Sequence, residues 1–303
     1  MDIYLPIAGQ SVNALLMIML GGAVGVLSGM FGVGGGFLTT PLLIFYGIPP
    51  SIAVASSTTQ IAGASVSGFL THWRRGAVDV KMGLVMIAGG TVGSLAGSLV
   101  FRLLQKSGQV DLMISLLYVL LLGSIGALML RDAMVAQGWL AAPDAARPPA
   151  RHKRWIASLP LRWRFTTSGL YVSPVAPGVI GLVTGMLTVL LGVGGGFILI
   201  PAMIYLLGMS SRFVVGTSLL MVLATSAVSV MIHSVTTHSV DIVLAALLLV
   251  GGVIGAQYGT ILATRLKPDK LRLALAVMIL LVAGRMALGL AWRPGEIYSI
   301  EYL

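Results

Sequence analysis

Gly32-Val33-Gly34-Gly35-Gly36-Phe37 returns as Gly192-Val193-Gly194-Gly195-Gly196-Phe197, and each copy leads to a proline, Pro41 and Pro201. The shift of 160 positions that superposes the two also places Gly21 on Gly181, Gly25 on Gly185 and Leu27 on Leu187 without a gap. Farther along, at a shift of 161, Ala55-Ser56-Ser57 meets Gly216-Thr217-Ser218 and His72 meets His233. At 162, Val78-Asp79 meets Val240-Asp241, and Gly89, Gly90, Gly93 and Gly97 meet Gly251, Gly252, Gly255 and Gly259. The chain is two copies of a unit of about 120 residues, a common plan for membrane transporters.

Composition sets the solvent. The 303-residue chain is 57% hydrophobic and 9% charged, with mean hydropathy +1.00, whereas a soluble domain carries about 25% charged residues. It is read as a polytopic membrane protein whose surroundings are the lipid bilayer. With no cysteine there are neither disulfides nor thiolate metal sites, and the four histidines have no metal-ligand spacing. No cofactor is implied. The net charge of +10 would suggest nucleic acid in a soluble protein. Here the basic residues lie between apolar spans, where they orient the chain, and nucleic-acid binding is not expected. Residues 1–13 carry no basic residue ahead of the apolar run, unlike a cleavable signal peptide.

A hydrocarbon core of about 30 Å takes about 20 helical residues. That ruler places spans near 12–31, 51–72, 81–103, 111–131, 174–191, 212–235, 242–263 and 270–291. Two short apolar pieces follow the glycine clusters, at 37–48 and 197–209. If each crosses, every copy has five crossings and the second is inverted; if each is re-entrant, four crossings leave the copies parallel. Charge favours the first. With ten crossings and an external N-terminus, Arg74, Arg75, Lys81, Arg131, Arg147, Arg151, Lys153, Arg154, Arg162, Arg164, Arg212, Arg265, Lys267, Lys270 and Arg272 fall inside, and only Arg102, Lys106 and Arg293 outside. Cytoplasmic loops are the ones enriched in Lys and Arg. The expected fold is therefore all-α: two inverted repeats of about five transmembrane segments, 1–131 and 174–303, each with a short glycine-preceded helix. Residues 132–173 form a basic cytoplasmic linker and both termini are periplasmic. Within the linker, 141–149 reads as a flexible Pro/Ala segment. The stretch from Arg151 to Phe165, with Trp155, Leu159, Leu161 and Trp163 among its cations, is suited to the anionic inner leaflet.

Three consecutive glycines before an apolar helix bare the backbone, so its N–H groups reach a ligand while the helix points its positive end to the same place. Gly34, Gly35, Gly36 and Gly194, Gly195, Gly196 are thus candidate binders of a small anion. The same glycines also let helices pack closely, and the two roles are compatible. A nucleotide loop is excluded: no lysine follows, no acidic residue lies about 20 positions on, and no βαβ context surrounds either copy. Polar clusters follow each short piece, Ser56-Ser57-Thr58-Thr59-Gln60 and Thr217-Ser218. Their hydroxyls are uncharged donors, suited to an oxyanion that must later be released; a lone Ser or Thr more often bonds back to its own helix. Ser56, Ser57, Thr58, Gln60, Thr217 and Ser218 complete the candidate binding set. His72 and His233 end equivalent helices, where a neutral imidazole titrates near physiological pH. Arg285, a cation within the last span, joins them as a candidate for coupling or gating. Asp79 and Asp241 begin the next helices, where a carboxylate suits the dipole.

The duplicated Gly-x-Gly-Gly-Gly-Phe-x-x-x-Pro, the hydroxyl pair on the next helix and Gly76-Ala77-Val78-Asp79 together resemble the TauE/SafE sulfite exporter family, over about 12–131 and 174–291. The resemblance implies a bacterial inner-membrane permease for small sulfur-containing anions such as sulfite or a sulfonate, working as an exporter. The family motif falls on Gly32, Gly34, Gly35, Gly36, Pro41, Ser56 and Ser57, and on Gly192, Gly194, Gly195, Gly196, Pro201, Thr217 and Ser218. The sequence departs from simpler members in its long basic central loop and in the reduced second motif, His238-Ser239-Val240-Asp241. The reading is a secondary transporter of a small oxyanion, with a gated small-anion channel as the competitor. An enzyme is not expected, because no nucleophile, base and orienting group converge. The sequence sets no oligomeric state.

Overall fold

The computed structural model describes residues 2–31, 36–139, 163–263 and 268–291. Of the expected site, Gly34 and Gly35 lie outside these residues, as does most of the linker. Among the described residues ten α-helices follow one another: α1 Ala14–Phe31, α2 Gly36–Phe45, α3 Pro50–Arg74, α4 Val80–Lys106, α5 Val110–Ala136, α6 Val175–Leu191, α7 Gly196–Pro201, α8 Ser211–Ile232, α9 Ile242–Ala263 and α10 Pro268–Ala291. Helix α7 runs on into a π-helical turn, Ala202–Leu206, as α8 does into His233–Thr237. Pro201, without an N–H, stands where the first of these wide turns begins. Among the described residues five helices are long and apolar enough to cross a membrane: α4, α5, α8, α9 and α10. Helix α3 has the length, 25 residues. Its polar run keeps it out of that apolar set. Leu84, Leu99, Leu103, Leu120, Ile254 and Leu281 stand more than half exposed on the outer faces, as lipid-facing side chains do.

Two β-hairpins interrupt the all-α expectation. β1 Asp2–Leu5 pairs antiparallel with β2 Gln10–Asn13 before α1, and β3 Trp163–Phe165 pairs with β4 Leu170–Val172 before α6. Both four-residue loops end on a glycine in the left-handed region, Gly9 at φ +65° and Gly169 at φ +70°, a backbone state glycine adopts at little cost. Each hairpin sinks one large side chain, Leu5 or Phe165, to within 1% of complete burial. Phe165 is therefore a core residue, packed with Met82, Met86 and Leu199, and not a lipid-surface anchor. The last part of the expected linker belongs to the second half of the fold.

The halves interlock crosswise. Helix α1 packs on α9, α4 on α6, α3 on α8 and α5 on α10. The first two contacts are glycine seams. A Cβ on Gly21, Gly25 or Gly29 would meet the carbonyl oxygen of Leu248, Gly252 or Ala256 at 2.2–2.5 Å. One on Gly181 or Gly185 would meet that of Met86 or Gly90 at 2.1–2.2 Å. Residue numbers rise together along both seams, so these pairs are parallel. Backbones meet this closely in membranes because small residues permit it. Along α3 and α8 the numbers run oppositely: Gly194, ahead of α7, lies between Ile61 and Val222, Gly68 faces Leu219, and Gly216 faces His72. This pair is antiparallel.

Three apolar clusters divide the core. The first hairpin, α1, the end of α2 and the starts of α3 and α9 share Leu5, Met17, Leu43, Ile48, Ile52 and Leu244. The second hairpin, α4, the π turn after α7 and the start of α8 share Phe165, Met82, Met203, Met209 and Val214. Because Ile52 begins α3 while Ala77 and Val78 follow its end against Gly216, the two clusters lie at opposite ends of α3. Its 25 residues span about 37 Å at 1.5 Å per residue. Both α1 and α2 return to the first-hairpin end, so the short helix is the ascending limb of a helix–turn–helix unit. The central cluster, with Phe37, Val54, Tyr118, Leu191 and Phe197, lies between.

Candidate functional site

The two glycine-preceded helices begin face to face. Phe37 of α2 and Phe197 of α7, which coincide at the shift of 160, stack with ring centroids 4.7 Å apart and planes 10° from parallel. Gly36 has no room for a side chain, since a Cβ would stand 1.9 Å from Ile61 Cδ1 and 2.7 Å from the Gly192 carbonyl oxygen. Ahead of α7, Gly192, Gly194 and Gly195 are all left-handed, at φ +68°, +71° and +70°. That accounts for glycine at each in backbone terms. They are buried, Gly192 against Val54 and Ser57, Gly194 against Ile61 and Val222, and Gly195 against Thr184 and Thr188.

The carbonyls that this break frees at the end of α6 are taken up by other elements. Tyr118 of α5 donates its hydroxyl to the Leu191 carbonyl. His233, fully buried, lies 3.0 Å from the Val189 carbonyl oxygen through Nε2, which must therefore carry the proton. Phe101 meets its ring edge-on at 5.1 Å. His233 thus holds the break and does not lie at the membrane surface. His72 is half-buried at the end of α3 and donates through Nδ1 to the Gly68 carbonyl of its own helix at 2.9 Å. The structure does not bring the two histidines together.

The candidate hydroxyls divide by role. Ser56 and Thr217 take part in a crosswise bracket. The Asp79 N–H donates to Thr217 Oγ1 at 2.9 Å, and the Asp241 N–H to Ser56 Oγ at 3.3 Å. Each aspartate also caps its own helix, Asp79 accepting from the Met82 N–H and Asp241 from those of Val243 and Leu244, all at 3.1 Å. The second carboxylate oxygen then holds a hairpin. Asp79 accepts from the N–H and hydroxyl of Ser168, at 3.1 and 2.6 Å, and Asp241 from the Ile7 N–H at 3.1 Å. Thr58 and Ser218 bond back to their own helices, at Val54 and Val215. Ser57 shares a 2.5 Å contact with Thr40 of α2 and also reaches the Val54 carbonyl.

Four buried oxygens on α3 and α8 have no hydrogen-bond partner among the described residues: Gln60 Oε1, Ser65 Oγ, Ser226 Oγ and Ser229 Oγ. Ser65 and Ser226 are equivalent at the shift of 161. Spacings of three and four put Ser65 on the stripe of Ile61, Gly68 and His72, and Ser226 on that of Gly216, Leu219 and Val222. These are the faces along which α3 and α8 meet. Neither serine was predicted, because each stands among small and apolar residues beyond the hydroxyl runs at 56–59 and 217–218; their coincidence at the shift of 161 was the available signal. Gln60 lies against Gly252, where a Cβ would meet its Nε2 at 2.6 Å. Arg285 is apart from all of these, exposed on α10 with its guanidinium 5.4 Å from the centre of the Phe45 ring.

The apolar spans, the glycine seams and the buried helix starts define a multi-pass helical membrane protein. The chain belongs to the sulfite exporter TauE/SafE family, whose family model matches residues 17–286. Among its relatives is a probable membrane transporter protein of Xylella fastidiosa, 29% identical over 93% of this chain and 96% of the relative. Another is the probable membrane transporter protein YjnA of Bacillus subtilis, 30% identical over 87% of this chain and 96% of the relative. Sulfite exporter TauE/SafE family protein 3 of Arabidopsis thaliana is 28% identical over 35% of this chain and 23% of its own length. No solved structure matches the chain.

Proposed function

We propose that the chain is a secondary transporter that exports a small sulfur-containing oxyanion across the inner membrane, binding it between the starts of α2 and α7 along the α3–α8 seam. One observation carries this reading. Hydroxyls at equivalent places in the two copies, Ser65 and Ser226, are buried without partners beside the break, although leaving a buried polar group unsatisfied costs about 1–3 kcal/mol. Such groups are explained if a solute completes them. Neutral donors and helix starts suit a passing anion better than arginine does, since binding has to be weak enough to reverse. Gly36, Gly194, Gly195 and Gly196 bring the backbone to the same place; Gly34 and Gly35 lie outside the described residues. Ser57, beside Gly192, and Gln60 flank it; Ser56, Thr217, Thr58 and Ser218 hold the helices that carry it. His233 steadies the break, and His72 stands at the rim of α8.

The reading includes two inverted copies. It is supported by the antiparallel α3–α8 pair, by hairpins at opposite ends of α3, and by the crosswise brackets of Asp79 and Asp241. Parallel copies would run α3 and α8 in one direction. With the first hairpin periplasmic, the linker is cytoplasmic and the basic residues fall on the inner side. Alternating access then requires the Phe37–Phe197 stack to part toward one face while the bracket at the other stays closed. An inside-negative membrane potential favours anion exit by about 2.3 kcal/mol per charge at 100 mV.

The test is counterflow in proteoliposomes with sulfite, thiosulfate, an alkylsulfonate and a small carboxylate. Saturable exchange of the sulfur oxyanions is expected, with the carboxylate competing poorly. Non-saturating conductance would replace the carrier with a channel, and no flux of any sulfur oxyanion would overturn the substrate class.

A further inference from the structure

Arg285 sits in a cleft that the transport reading does not use. The cleft, of about 320 Å³, lies between α5, α10 and the end of α2, lined among others by Phe45, Asp111, Ser115, Arg285 and Gly289. Phe45, Pro50 and Asp111 are all within a turn of a helix end, and Ile44 packs with the first-hairpin cluster. The cleft is therefore level with one membrane surface and away from the middle of the bilayer. The guanidinium lies across the Phe45 face. Its Nη1 is 3.5 Å from where a side chain at Gly289 would begin, so the missing side chain one turn on leaves the cation open to the cleft. Leu112, Leu120, Leu281 and Leu288 are 50%, 60%, 68% and 60% exposed on the same two helices. A charged recess above an apolar wall is the shape of one amphiphile.

We infer that this cleft seats the phosphate of a membrane phospholipid, with Arg285 as its cation and the exposed leucines of α5 and α10 against its acyl chains. The guanidinium fork matches phosphate oxygens in a bidentate manner. A cation this near the end of a lipid-facing helix lies within reach of the headgroup layer, where long basic side chains snorkel. Lipid seated here bridges α5 to α10, a pair that has no glycine seam like those of α1–α9 and α4–α6.

The test uses the full chain in a phosphate-free detergent and follows its unfolding temperature on adding dioleoylphosphatidylglycerol, dioleoylphosphatidylethanolamine, dioleoylglycerol or inorganic phosphate. Either phospholipid is expected to raise the midpoint by about 4 °C at a hundredfold excess over its dissociation constant. Dioleoylglycerol and inorganic phosphate should leave it unchanged. Arg285→Gln should abolish the rise without lowering the lipid-free midpoint, because the side chain is exposed, and Gly289→Leu, which fills the cleft, should do the same. An equal rise with dioleoylglycerol, or a rise that survives both variants, overturns the proposal. An equal rise with inorganic phosphate shows a free-anion site and overturns the lipid as occupant. Counterflow that stays intact in Arg285→Gln separates this site from the transport path.

Discussion

Asp79 and Asp241 each join three pieces of chain: a helix start, a hairpin and a hydroxyl of α8 or α3, Thr217 or Ser56. Removing such a carboxylate leaves the N–H groups it holds unpaired, three in the case of Asp241: that of Leu244, which is buried, and those of Ile7 and Val243, whose bonds are partly buried. Asp241→Ala should therefore destabilise the protein by about 3 kcal/mol or more, read as a lowered unfolding midpoint in detergent, with increased proteolysis at the first hairpin. An unchanged midpoint would show that the bracket is not holding. Ser65 and Ser226 predict the reverse pattern. Ser65→Ala and Ser226→Ala remove unpartnered hydroxyls, so neither should lower the midpoint, yet each should reduce transport by tenfold or more. At Gly195 the left-handed backbone and the Thr184 Cβ, 3.1 Å from an added methyl, predict that Gly195→Ala is less stable than wild type by about 1–2 kcal/mol.

At the level of helices and hairpins, the glycine ladder on which the repeat was read also builds the α1–α9 and α4–α6 contacts. Gly25→Leu would drive a side chain into the Gly252 backbone, 2.3 Å from its carbonyl oxygen, and part α1 from α9. The expected result is loss of the monodisperse peak in size-exclusion chromatography, whereas Gly123→Leu, with nothing within 4 Å, should run like wild type. The long spans were legible from hydropathy alone, and so were the helix starts at Asp79 and Asp241. Neither hairpin was: the first is too short to register beside the apolar span that follows it, and Trp163-Arg164-Phe165 has the local look of a basic amphipathic stretch; Gly9 and Gly169, which coincide at a shift of 160, were the available signal. His233 read as an end-of-helix residue because α8 was expected to stop there. A π turn instead carries the chain onward and leaves the ring inside. The hydroxyl run after Pro50 looked like one binding cluster. Helical geometry spreads it over several faces, so that Ser56, Ser57 and Thr58 meet different neighbours.

For the whole molecule, the proposed inverted arrangement predicts which ends share a face. The chain has no cysteine, so single cysteines label cleanly. Ser107→Cys, between α4 and α5, should react with an impermeant maleimide from the periplasm, and Pro268→Cys, at the start of α10, only from the cytoplasm. Labelling of both from one face would make the copies parallel. The central claim is that an anion crosses by completing the unpartnered α3–α8 seam between two glycine-started helices. The most direct measurement is counterflow of radiolabelled sulfite in proteoliposomes holding wild type, Ser65→Ala, Ser226→Ala or the double variant at matched folded protein. The account predicts saturable exchange in wild type, a rise in KM or a loss of rate of at least tenfold in each single variant, and no exchange in the double variant. Wild-type exchange in the double variant would contradict it.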